Sequence, residues 1–126
     1  MEFCTAINCM SGQTQLPVLY FLRDRFKARY VDMITESGPD LILAKQTSLT
    51  LVQSILARVA LSIQRHGSAG IAIVGHHECC GNPASKVEQM WHLQDAVRFL
   101  QKHYPDQEII ALWVDENDRV TEVKVE

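Results

Sequence analysis

The stretch GIAIVGHHECCGNP, residues 70–83, decides how this chain folds. An almost uninterrupted apolar run covers 69–74, as expected of a central strand buried on both faces of a parallel sheet. The run breaks at Gly75 into a polar exit rich in His and Cys. Asn82-Pro83 then predicts the start of a long helix, Asn as cap and Pro in the first turn. Val87, Met90, Trp91, Val97 and Leu100 give that helix an apolar stripe, and Tyr104-Pro105 ends it.

Downstream, residues 109–114 read as another strand and 115–118 as a polar turn. Residues 119–125 alternate, with Val120, Val123 and Val125 on one side, and predict an edge or hairpin strand. Upstream, 49–65 predicts a helix with Leu49, Val52, Leu56, Val59, Ala60 and Ile63 on one face, stopped by Gly67. Residues 30–34 read as a short strand, Ser37-Gly38-Pro39 as a turn, and 40–48 show no assignable pattern. At the front, 3–7 reads as a strand. Pro17 then predicts a helix start, with Val18, Leu19, Phe21, Leu22 and Phe26 as its stripe to about residue 28.

This order gives an α/β fold: a three-layer, mostly parallel β sheet with helices on both faces. The 126 residues suit one domain with a real core, 1–126. The chain is 47% hydrophobic and 21% charged, a globular balance. Seven Arg and five Lys lie scattered among fifteen acids, for a net charge of −3, so no nucleic acid partner is expected. The apolar runs are too short for a membrane span, and MEFCTAIN lacks the pattern of a signal peptide. A cytoplasmic protein is the expectation.

Four cysteines stand at 4, 9, 79 and 80, a pattern unlike a disulfide-rich scaffold. Cys4 is expected to pack as a small apolar residue. In FCTAINCMSGQTQLP, residues 3–17, Cys9 stands just past the first predicted strand. His76 and Cys79 stand just past the buried one. Parallel strands expose their C-terminal ends on one side, and ligands bind there where strand order reverses. If the two strands are neighbours, two thiolates and an imidazole converge, a donor set suited to Zn2+ with a fourth position open. The amide end of the helix opening near Asn82 would add positive potential for an anion. The other reading is two buried thiols and a hydrogen-bonded histidine. Moving the register by one, to His77 and Cys80, keeps the same spacing. Glu78 reads as solvated, and Trp91 and Trp113 as core.

The pattern resembles the beta-class carbonic anhydrases, particularly their short prokaryotic members. Those carry Cys-x-Asp-x-Arg after the first strand and Gly-His-x-x-Cys after the third. Here the first motif reads Cys9-Met10-Ser11-Gly12-Gln13 and the second Gly75-His76-His77-Glu78-Cys79. The resemblance implies zinc held by Cys9, His76 and Cys79, with zinc-bound hydroxide converting carbon dioxide reversibly to bicarbonate. It also implies a homodimer or higher homo-oligomer, although the N-terminal helical arm of longer members is not expected here.

Ser11 and Gln13 occupy the places of the family's Asp–Arg pair, whose aspartate accepts a hydrogen bond from the zinc-bound oxygen. Losing both charges together avoids stranding a buried guanidinium. Ser11 retains a hydroxyl, but Gln13 cannot form the bidentate charged clamp. The expectation is a zinc-binding, carbonic anhydrase-like lyase with impaired activity. The alternatives are a non-catalytic zinc-binding homologue, or a hydrolase or lyase acting on another small electrophile. A phosphatase reading fails because Gln15, Ser85 and Lys86 stand where its arginine would follow Cys9, Cys79 and Cys80.

Overall fold

The computed structural model describes residues 2–125. Strand β1 (Phe3–Cys9) leads into α1 (Gly12–Arg25), β2 (Tyr30–Glu36), α2 (Pro39–Lys45) and α3 (Leu49–His66). Then come β3 (Ile71–His76), α4 (Lys86–His103), β4 (Ile109–Val114) and β5 (Val120–Val123). The sheet order is β2-β1-β3-β4-β5, with the first four strands parallel and β5 antiparallel at the edge.

Alternation along the strands sorts side chains into two cores. Cys4, Ala6, Ala72, Val74, Ile110 and Leu112 pack against Val18 and Leu22 of α1. Ile7, Ile71, Ile73, Ala111 and Trp113 face the other way, onto residues of α2, α3 and α4 such as Leu43, Ile55, Val59 and Leu93. The handedness of parallel crossovers explains this division. The β1-to-β2 connection runs one way along the sheet and the β3-to-β4 connection the other, so their helices fall on opposite faces. Chain order therefore reverses between β1 and β3.

The sheet opens at that point. The β1–β3 ladder ends at Ile7↔Ile73, while β1 stays paired with β2 as far as Cys9↔Glu36. β3 likewise stays with β4 as far as His76↔Val114. Cys9 and His76 thus terminate two halves of a splayed sheet.

Several local expectations need correction. Helix α1 begins at Gly12, five residues before Pro17, because Ser11 caps it by accepting from Gln13 N at 3.3 Å. Residues 40–48 contain most of the short helix α2, whose left-handed caps at Gly38 and Gln46 disguise it. Helix α4 begins at Lys86, not Asn82, because Ser85 supplies the cap by accepting from Glu88 N. On α4 the stripe holds at Val97 and Leu100, both buried, but is rotated in the first turns: Val87 and Trp91 are exposed, Trp91 by 71%, whereas Gln89, His92, Leu93 and Ala96 are buried. On α3, Leu49 is exposed and Ser62 is buried, bonded to Thr5 and Asp32. The Gly67 stop stands as expected, with φ +62° and its N–H returned to Ile63 O. No helix among the described residues is long and apolar enough to cross a membrane.

Candidate metal centre

Cys9 and His76 are the last residues of β1 and β3, and Cys79 lies on the turn beyond β3. All three are buried, and one ligand atom from each lies within 4.8 Å of the others. The two sulfurs are 3.7 Å apart. Two thiolates each about 2.3 Å from a tetrahedral zinc would be separated by about 3.8 Å. His76 Nδ1 lies 3.0 Å from the backbone carbonyl of His77, which accepts its proton. The tautomer that this bond selects leaves Nε2 with a free lone pair, and Nε2 is buried without a hydrogen-bond partner. This is how a metal-ligating histidine is oriented. The three residues present fit a soft divalent ion.

Backbone amides support both sulfurs. The Cys79 thiol donates to Cys9 and pulls its pKa far down against the opposing effect of burial, helped by His76 and by the N–H groups of Gly38 and Ser11. Cys79 moves the opposite way, because its hydrogen bond to Cys9 and burial both favour the protonated thiol. Two sulfurs this close cannot both be ionised cheaply without a cation between them. For His76, burial favours the neutral ring, but the Cys9 thiolate beside it outweighs that and raises the pKa.

A crossing of two glycines makes this arrangement possible. A Cβ on Gly38, whose φ is +64°, would lie 2.5 Å from Gly81 C, and one on Gly81 would lie 2.3 Å from Ser37 C. The loop after β2 therefore passes directly over the ligand turn. Its Gly38 N–H favours the Cys9 thiolate, while the Gly81 and Asn82 N–H groups favour that of Cys79, and Asn82 N–H bonds the Cys79 carbonyl at 3.2 Å.

Ser11 is occupied differently from its counterpart in the resemblance, since its oxygen caps α1. Gln13 lines a cavity of about 200 Å³ that reaches His76 and is bordered by His77, Glu78, Asp115 and Glu116. His77 is half-exposed, 3.5 Å from Glu78 and 3.7 Å from Glu116. Cys80 is exposed, and neither it nor His77 takes a place in the cluster that the shifted register would give them. Cys4 packs in the α1-side core, its pKa raised to about 11 by burial. The helix end expected at Asn82 is absent. That residue instead buries its amide against Asp40 and His92.

Sequence reasoning missed the support behind the ligand turn: Asp40, Asn82, Gln89 and His92, all buried. The one available signal was a pair of polar residues, Gln89 and His92, three apart on a helix whose apolar stripe was otherwise incomplete. A family model described as "Putative carbonic anhydrase" matches residues 1–124. No curated protein matches the chain.

Proposed function

The chain belongs to this carbonic anhydrase-like family, and from that membership we propose a zinc-binding relative of the beta class whose hydration of carbon dioxide is impaired. The observation that carries the reading is the convergence of Cys9, His76 and Cys79, with a buried, unpartnered Nε2 on the histidine. When bound, zinc would supply a Lewis acid able to lower the pKa of a coordinated water towards about 7.

The chain's own residues account for the impairment. Cys9 and Cys79 supply negative charge, and the His77 carbonyl holds the His76 ring in the ligating tautomer. The cavity admits a small molecule to His76. Nothing at its mouth repeats the charged Asp–Arg clamp, because Ser11 is the α1 cap and Gln13 is neutral. Four carboxylates border that cavity, Glu78, Asp115, Glu116 and Asp118, a poor setting for holding bicarbonate and a tolerable one for neutral carbon dioxide.

The capping role of Ser11 also favours the second reading, a metal-binding homologue without turnover. Proton release from dissolved carbon dioxide by the zinc-loaded protein separates the two. A slow hydration rate that disappears with Cys9→Ala supports the enzyme. A rate equal to buffer, with one zinc per chain retained, supports the homologue. Absence of bound zinc removes both.

A further inference from the structure

Behind the ligand turn, four buried polar side chains form a network whose hydrogens can be counted. Gln89 Nε2 donates to the backbone carbonyls of His76 at 3.1 Å and of Asn82 and Ala84, each at 3.3 Å. Three carbonyls fix the orientation of this amide, since flipping it would set an oxygen against three oxygens. Gln89 Oε1 is therefore forced to the other side, where it has no partner.

Asp40 approaches the same glycine, Gly75, that Gln89 Oε1 approaches. Its Oδ1 already accepts from Asn82 Nδ2 at 3.1 Å and from Leu41 N at 2.9 Å, while Oδ2 is buried with no donor. Both orphan oxygens converge on Gly75. A Cβ built on that glycine would lie 2.8 Å from Asp40 Oδ2 and 3.2 Å from Gln89 Oε1. Asn82 Nδ2 also reaches His92 Nδ1 at 3.0 Å, so its two hydrogens are both used and none remains for Oδ2. An ionised Asp40 would leave a buried anionic oxygen with no donor, close to a second unpartnered acceptor, an arrangement with a heavy desolvation penalty.

We propose that Asp40 is held as the neutral acid, with its Oδ2–H donated to Gln89 Oε1, and that this shared proton positions the ligand turn. Burial acts in the same direction by raising the Asp40 pKa; the titratable groups facing it are His92 from α4 and His76 from β3, which act the other way and are outweighed. The pair reaches the turn from two sides. Gln89 grips the His76 carbonyl, and Asp40 holds Asn82, whose N–H returns to Cys79 O at 3.2 Å. Asp40 and Gln89 are positioning residues, and the role assigned to them rests on the metal reading above.

Asp40→Asn is the decisive variant, because its amide can donate to Gln89 Oε1 and its oxygen can still accept from Asn82. Infrared difference spectra at neutral pH are expected to show a protonated carboxyl band in the parent that is absent from Asp40→Asn. Zinc affinity should stay within about twofold in Asp40→Asn and fall ~10–100-fold in Asp40→Leu or Gln89→Leu. Amide exchange at residues 77–82, read on metal-free protein, should be unchanged in Asp40→Asn and faster in the Leu variants. A missing carboxyl band, or loss of zinc affinity in Asp40→Asn equal to that in Asp40→Leu, overturns the proposal. If the Leu variants do not fold, the band and the Asp40→Asn affinity still decide it. A parent that shows the band and protected amides but binds no zinc refutes the metal reading while leaving the shared proton in place.

Discussion

Cys9 Sγ and Cys79 Sγ stand 3.7 Å apart although seventy positions separate them in the chain. Nothing local brings them together; the splaying of β1 from β3 beyond Ile7↔Ile73 does. The consequence is testable residue by residue. Cys9→Ala and His76→Ala should each reduce zinc from about one per chain to near zero after dialysis, since zinc needs its full donor set. His77→Ala and Cys80→Ala should keep it. Unchanged metal in the first pair, measured by elemental analysis, removes the site assignment.

Restoring the missing charges tests the proposed cause of impaired hydration. Ser11→Asp combined with Gln13→Arg should raise hydration of carbon dioxide by ~10–100-fold, the range typical of partners that orient a metal site. Aspartate also preserves the α1 cap, so the helix should be unaffected. The rate is read from stopped-flow proton release. A fast parent that slows in the double variant contradicts the account.

The glycine crossing predicts a stability difference between otherwise similar substitutions. Gly81→Ala places a Cβ against the backbone of residue 37, which cannot yield as a side chain would. It should destabilise by about 1–3 kcal/mol and weaken zinc binding further, because the Gly81 N–H supports Cys79. Gly12→Ala meets nothing within 4 Å and should be close to neutral. Urea midpoints of the two variants compare them directly; equal values would mean that the crossing is not tight.

The raised pKa of His76 fixes the sign of a pH effect. In metal-free protein, a raised value contributes stability that is complete below the unfolded pKa and is lost as pH rises through the folded one. Zinc would compete for the same ring and displace the proton that Cys79 retains, so binding would run the other way. The gap in Tm between zinc-loaded and metal-free protein should therefore close as pH falls from about 8 to about 5. A gap that widens on acidification would show that these groups are not the ones zinc meets.

Much of the fold was legible because it rests on local signals. The apolar run of β3 announced a buried strand, Gly67 announced a left-handed stop, and β4 was bounded as read. Helix α2 was not legible, since seven residues between two left-handed caps offer too little periodicity. The starts of α1 and α4 differ from the sequence expectation because Pro17 and Asn82-Pro83 are helix-start signals by type, while the caps in use are Ser11 and Ser85. Trp91 reads as core from its apolarity but is exposed. Gln89 and His92 take the inward face because the carbonyls of the ligand turn and the amide of Asn82 await them there.

The sequence by itself determined the chemistry available to this protein: two cysteines and a histidine at strand exits, with neutral residues at Ser11 and Gln13. Only the tertiary structure decided that His76 and Cys79, rather than their neighbours His77 and Cys80, meet Cys9. Spacing along a chain is blind to a shift by one residue. The end of β3 and the turn after it are not, because each side chain there faces either the cleft or solvent.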